Sequence, residues 1–217
     1  MQRNLTPSRM AGRGRTDRAA LDELLDEVLV GYVGMALDEG PLVLPVGFAR
    51  DGDRVLLHGS TGSHRMRVLA EGAEVCFTVA ALDALKVARS AFGTGMQYRS
   101  ACLFGTCEVL SGDDHASALA AYTDRYLPGR SAEVRPIAKK ELAATMVLAL
   151  PIETWSMKVA DGFPDDDPDD VAGDGWAGLV PLLSGFGEPI DNPDLRGGIP
   201  VPPSVAALSA KVDASQL

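Results

Sequence analysis

The chain is short of several residue types, and each shortage closes off a class of protein. Its 217 residues include only three cysteines and three histidines. Cys76, Cys102 and Cys107 lie in apolar, strand-like segments, where a thiol behaves as a small buried hydrophobe. Cys102 and Cys107 are five apart, so on one regular strand they face opposite ways and cannot share a metal. His58, His64 and His115 show no metal-ligand spacing with cysteines or carboxylates. Basic residues are outnumbered, 20 Lys and Arg against 30 Asp and Glu, and a net charge of −10 repels nucleic acid and anionic membrane. No apolar run approaches the ~20 residues needed to span a bilayer. The N-terminal "MQRNLTPSRMAGRGR" is basic but lacks the apolar stretch of a secretory signal. The expectation is a cytoplasmic protein with neither a nucleic-acid nor a membrane partner.

Chemical signatures are also missing. In "DGFPDDDPDDVAGDG" an EF-hand starting at Asp165 would have Asp170 at its glycine position and Trp176 at its glutamate position, so a solvated loop is expected. "GRGRTD" follows no strand, "HGSTGSHR" lacks a Gly-Lys-Ser/Thr ending, and no G-x-S-x-G elbow occurs. Arg3, Arg9, Arg13, Arg15 and Arg18 read as a basic arm lying on an acidic body.

What is present suits a folded core, with 46% of residues hydrophobic and 23% charged. "TDRAALDELLDEVLVG" reads as a helix capped by Thr16 or Asp17, with Leu21, Leu24, Leu25 and Val28 at helical spacing. "VGYVGMAL", "PLVLPVGFA" and "RVLLHG" read as three consecutive antiparallel strands, with a hairpin signal at Asp51-Gly52. "SHRMRVLAEG" is a short helix between Ser63 as N-cap and Gly72. "EVCFTVAAL" and "YRSACLFGTCEVL" follow as strands, the second long enough to cross a barrel. "DDHASALAAYTDRYLPG" is a helix capped by Asp113 or Asp114, "KKELAATM" a shorter one, and "VLALPIETWSMKVA" a final long strand. Beyond residue 160 the chain is acidic and rich in Pro and Gly, an irregular arm anchored by "WAGLVPLL". The pattern predicts an α+β domain on a closed, antiparallel β-barrel.

Two stretches carry chemistry. In "LLHGSTGSHRMRVL" a strand ends at His58, a small-residue turn follows, and Ser63 opens a helix. The hydroxyls of Ser60, Thr61 and Ser63, free amides at the helix start and the guanidinium of Arg65 would make an anion site, assisted by Arg67 or His64. The alternative is a plain β-α connection, and the stretch alone leaves both open. In "AFGTGMQYRSACLFGTCEVL" Tyr98 and Ser100 share one strand face and Arg99 takes the other. A structural salt bridge is the alternative role for Arg99.

Together these stretches resemble the pyridoxamine 5'-phosphate oxidase-like, FMN-binding split-barrel proteins, in particular the branch that includes nitroimidazole-resistance proteins. The resemblance runs over roughly residues 9 to 183, through "DRAALDELLDE", "GYVGMAL", "PLVLPVGFARDGDRVLLHGSTGSHRMRVLAEGAEVCFTV", "YRSACLFG", "TWSMKVADGFPDDD" and "WAGLVPL". It implies a six-stranded split barrel with flanking helices, a homodimer, and FMN at the dimer interface. A deazaflavin or haem is the alternative cofactor. Residues 1–160 would form the barrel domain with its arm and helix, and 161–217 the acidic loop and C-terminal arm packing on it.

The resemblance also implies roles. Ser63, His64 and Arg65 match the segment that grips the FMN phosphate. His58, Gly59 and Ser60 match the strand end beside the phosphate and ribityl chain. Pro45 and Val46 lie on the strand along the isoalloxazine ring. Tyr98, Arg99 and Ser100 match the strand from the other subunit, and Lys158 and Trp176 sit in late motifs near the flavin. Gly93, Thr94 and Gly95 stand where the branch commonly has two histidines and a serine, and His64 replaces an always-charged arginine. The functional expectation is an FMN-dependent oxidoreductase acting on a small molecule, with no side chain assigned as catalytic. A non-catalytic carrier or sensor of a flavin, deazaflavin or haem is the rival.

Overall fold

The computed structural model describes residues 5, 6 and 9–209, so Arg3 of the basic arm lies outside the described residues. In chain order the strands are β1 (Gly14–Arg15), β2 (Val30–Leu37), β3 (Gly40–Gly47), β4 (Ala49–Asp51), β5 (Arg54–Ser60), β6 (Val75–Val87), β7 (Gly95–Gly105), β8 (Glu108–Val109), β9 (Thr145–Pro151), β10 (Thr154–Ala160) and β11 (Gly178–Pro181). The helices are α1 (Arg18–Glu27), α2 (His64–Ala70), α3 (Gly112–Tyr126), α4 (Arg130–Glu133), α5 (Lys139–Ala144), α6 (Pro168–Val171) and α7 (Pro203–Ser209).

All strand pairing is antiparallel and falls into two sheets. One has the order β1-β10-β7-β6-β2-β3, with β11 added to β6; the other is β4-β5-β9-β8. The expected α+β split barrel is the fold observed, but its hydrogen bonding divides between two sheets instead of closing one ring. Three strands expected to be continuous are cut where the chain changes sheet. "PLVLPVGFA" breaks at the buried Phe48, "YRSACLFGTCEVL" between Gly105 and Glu108, and "VLALPIETWSMKVA" at Ile152–Glu153.

The first break has a clear cause. The Tyr126 hydroxyl accepts from the Phe48 N–H (2.7 Å) and lies within donating distance of the Leu29 and Phe48 carbonyls (2.9 and 3.0 Å). This satisfies the backbone where β3 leaves its sheet. Gly47 is required there, because a Cβ would run into the Tyr122 and Tyr126 hydroxyls.

The main core fills the space between the sheets and under α1, around Leu21, Leu24, Leu25, Phe48, Phe77 and Leu103. Asp17 caps α1 by accepting from the Ala19 N–H (3.1 Å). A second core lies on the other face of the small sheet, where Ala49, Leu56, Val147 and Ala149 meet Ala118 and Leu119 of α3. The helix begins one residue before the expected caps, with Ser111 at the N-cap and Asp113 and Asp114 in its first turn. Because β5 and β9 are covered on both faces, they read as unbroken apolar runs. The large sheet is covered on one face only, so β2 and β3 alternate.

Candidate functional site

β5 ends at Ser60, and the turn Thr61–Gly62 leads to Ser63, the N-cap of α2. Most polar groups expected to hold an anion instead build this turn. The Ser63 hydroxyl accepts from the Met66 N–H (3.4 Å), and the Ser60 hydroxyl accepts from the Gly62 N–H (3.1 Å). The Thr61 hydroxyl donates to the Ala144 carbonyl (3.3 Å), and Arg67 donates to the Gly62 carbonyl (3.0 Å). Met66 and Leu69 anchor α2 in the main core. The anchored turn leaves His64 and Arg65 exposed, their side chains with no hydrogen bond or ion pair to any other described residue. Ser63, His64 and Arg65 form one wall of a cleft of about 490 Å3; the β2–β3 turn, with Leu37, Glu39, Pro41 and Leu42, forms the other.

A second group of candidates lies on the uncovered face of the large sheet. Ser100 pairs with Ala80 on one side and Lys158 on the other, while Tyr98 pairs with Leu82 and Ala160. Tyr98, Ser100 and Lys158 are half-buried, and their side-chain polar atoms have no partner among the described residues. Pro45 is on the same face, next to Tyr32, whose neighbour across β6 is Thr78. The two groups do not meet within one chain. Ala80 is five residues along β6 from Val75, the partner of Met35 near the cleft, or about 17 Å.

Four expected site residues stand elsewhere, each for a physical reason. Val46 turns inward and packs against the main core, as strand alternation from Pro45 demands. Arg99 also faces away from Tyr98 and Ser100, and its guanidinium is fully engaged: it meets Glu27 at 2.7 and 2.8 Å and Asp83 at 2.6 Å. These ion pairs are the salt-bridge role that the sequence left as its alternative. His58 points toward α3, where its ring meets Tyr122 edge-on at 4.2 Å, and burial lowers its pKa. Trp176, 64% exposed, lies over Gly178 at the start of β11, at the opposite end of β6 from the cleft. Gly59 faces Met66 under the turn, so it serves packing.

Gly93 closes the turn before β7, Thr94 follows it, and Gly95 is the first residue of the strand. The Thr94 hydroxyl donates to the Ser90 carbonyl (3.0 Å) and accepts from the Ala88 N–H (3.3 Å). The acidic loop is less solvated than expected, since the Asp166 side chain is 2% exposed and pairs with Arg89 at 2.9 Å. Among the described residues there is no cluster of three or more metal-ligating side chains and no helix long and apolar enough to cross a membrane. Sequence reasoning missed the grouping of Cys76, Thr78 and Cys102, in which the Thr78 hydroxyl lies 3.5 Å from each sulfur. The only signal was their shared strand parity.

A cleft with an unpaired arginine beside a one-sided antiparallel sheet agrees with the family match. Residues 17–159 match the model of the family described as pyridoxamine 5'-phosphate oxidase. The chain belongs to the pyridoxamine 5'-phosphate oxidase family. That span runs from the cap of α1 into β10, so β11 and the C-terminal arm lie outside it. Similarity to two solved structures extends further. The FAD and heme binding protein from Mycobacterium smegmatis is 48% identical, with 90% of this chain and 97% of that chain covered at a TM-score of 0.88. The flavocytochrome Anf3 from Azotobacter vinelandii is 33% identical, with 93% and 94% covered at 0.86. A candidate 5-nitroimidazole antibiotic resistance protein from Bacteroides thetaiotaomicron, at 20% identity, 67% and 86% coverage and 0.58, shares the fold. No curated protein matched the sequence.

Proposed function

We propose that this family member binds a flavin between two copies of the chain and serves as an oxidoreductase toward a small molecule. The observation that carries the reading is the exposed, unpartnered Arg65 in the cleft, in a chain 48% identical to a protein named for FAD and haem. Arg65 offers a planar, permanently charged fork to phosphate oxygens. Ser63 retains a hydroxyl hydrogen after accepting from Met66 and can donate it to the same anion. A cleft of 490 Å3 lies within the range of small-molecule sites.

Two copies are required because Tyr98, Ser100 and Lys158 are too far from the cleft to serve it within one chain. A second copy laid on the uncovered sheet face would bring them to it and bury the exposed Val30, Tyr32, Val43 and Leu82. Pro45 would lie on that covered face and help exclude water. A bound flavin supplies the electron chemistry; the protein binds and orients it. FAD is the flavin favoured by the name of the 48%-identical relative. FMN is the second reading, since one free arginine suffices for a monophosphate. Haem is the proposed second cofactor, on the names of both relatives.

The test is the absorbance spectrum of the purified protein, followed by titration of the apoprotein with FAD, FMN and haemin. One flavin per chain, reduced by NADH or NADPH in stopped flow, supports the oxidoreductase. Flavin that binds but is not reduced at a useful rate supports the carrier or sensor. No flavin binding overturns the proposal.

A further inference from the structure

Two thiols on the uncovered face of the large sheet have no part in the flavin reading. Cys76 and Cys102 are free and half-buried. Thr78 joins them: it pairs directly with Cys102 across β6 and β7, and strand alternation puts it on the same face as Cys76. Its hydroxyl lies 3.5 Å from each sulfur, so it can accept from one thiol and donate to the other. Beside this group the sheet surface is hollowed. Cys76 pairs on its other side with Gly34, where an added Cβ would meet the Cys76 Cβ at 3.9 Å. With only hydrogen at that place, a notch opens beside the Cys76 side chain. Tyr32 and Val43, 46% and 62% exposed, stand at its rim. None of these residues lines the cleft of Ser63 and Arg65.

We propose that Cys76 and Cys102 form a two-thiolate site for a soft cation, copper(I). Three other uses of a dithiol fit the geometry less well. Structural zinc takes four ligands, and no third His, Cys, Asp or Glu joins this pair among the described residues. A disulfide is opposed by spacing. Cys76 and Cys102 are diagonal neighbours, which sit about 7–8 Å apart, beyond the Cα separation of about 4.4–6.8 Å usual for a disulfide. Oxidation by peroxide is opposed by acidity. Burial pushes the Cys102 thiol pKa up, the Thr78 hydroxyl lowers it, and the Cys76 thiol raises it again, which leaves little reactive thiolate at neutral pH. Copper(I) instead displaces the thiol protons itself. It prefers thiolate sulfur and is stable at low coordination number. Two S–H bonds break, two S–Cu bonds form and the protons pass to solvent, with copper unchanged in oxidation state. The Thr78 hydroxyl donates to a thiolate and steadies it. The site is independent of the flavin reading.

The experiment uses the full chain, reduced and kept free of oxygen, with copper(I) titrated in competition with a chromophoric copper(I) chelator. Wild type should take up one copper(I) per chain, and X-ray absorption at copper should show two sulfur neighbours. Cys76→Ala and Cys102→Ala should each weaken binding by more than the roughly 10–100-fold typical of losing an outer partner, and Thr78→Val should fall within that range. Far-UV circular dichroism matching wild type would establish that each variant is folded. A wild type that yields all its copper to the chelator overturns the proposal, as does a copper spectrum with fewer than two sulfurs, which needs no variant to interpret. Wild-type affinity in both cysteine variants overturns it too. Ready formation of a Cys76–Cys102 disulfide with diamide would contradict the spacing on which the assignment rests.

Discussion

Replacing Arg99 separates a structural arginine from a cofactor arginine. Its guanidinium joins three elements, β7, α1 through Glu27 and β6 through Asp83, with N–O distances of 2.6 to 2.8 Å in its shortest bonds. The Arg99 side chain is 22% exposed and that of Asp83 32%, so this pair is partly shielded, while Glu27 at 52% is screened by solvent. Hydrogen bonds to charged groups contribute roughly 1.5–3 kcal/mol when shielded, and exposed ion pairs about 0–1 kcal/mol. Arg99→Met keeps most of the apolar stem and leaves two carboxylates facing one another without a cation. The expected loss is about 2 kcal/mol, which at an m-value of roughly 1–3 kcal/mol per molar urea moves the midpoint down by about 1 M. The loss should shrink in molar salt, which screens the remaining repulsion. Flavin affinity should stay within about twofold of wild type once the variant is held well below its urea midpoint. An unchanged midpoint with a large loss of flavin affinity would refute the structural assignment and return Arg99 to the cofactor.

Three further outcomes are expected. Gly47→Ala drives a methyl group into the Tyr122 and Tyr126 hydroxyls and should destabilise by about 1–3 kcal/mol, read as a lowered Tm; an unchanged Tm would contradict the sheet-switch account. Ser204 donates its hydroxyl and N–H to Glu133, holding that carboxyl below its ordinary pKa, so the attachment is present above the unfolded pKa and lost as pH falls through the folded one. Limited proteolysis should then cut residues 187–201 faster in acid than at neutral pH, and equal rates would count against this anchor. At pH 8 a thiol reagent should label Cys107 slowly in the folded protein and quickly only after unfolding, because burial raises the Cys107 pKa to about 11; fast labelling of the folded protein would show that site to be open.

Local features were legible in sequence, and long-range ones were not. The Asp17 cap, the leucines of α1, the Ser63 cap and the Asp51-Gly52 turn are all set within a few residues, and each is found where its pattern places it. The "WAGLVPLL" anchor became β11. The three strand breaks were hidden because alternation and apolar runs report burial without saying which sheet covers a face. Val147 and Leu148 are adjacent and both buried, but they belong to different cores. In the site, Ser63, His64 and Arg65 stood out through the small-residue turn before them. The fate of Arg99 depended on Glu27, 72 positions away, and on Asp83, 16 away across the β6–β7 pairing. That information resides in register, which one strand does not carry alone. The outward turn of His58 likewise followed from α3 covering the small sheet.

The most direct test of the central claim compares wild type and Arg65→Ala in titrations with FAD, FMN and riboflavin. Arg65 is exposed and unpartnered, so its loss should leave the fold intact. If it grips the flavin phosphate, Arg65→Ala should weaken FAD and FMN by about one to two powers of ten, the equivalent of roughly 1.5–3 kcal/mol, and leave riboflavin nearly unchanged. Equal weakening of all three ligands, or no weakening of any, would contradict the account and reduce the turn before α2 to a plain connection between strand and helix.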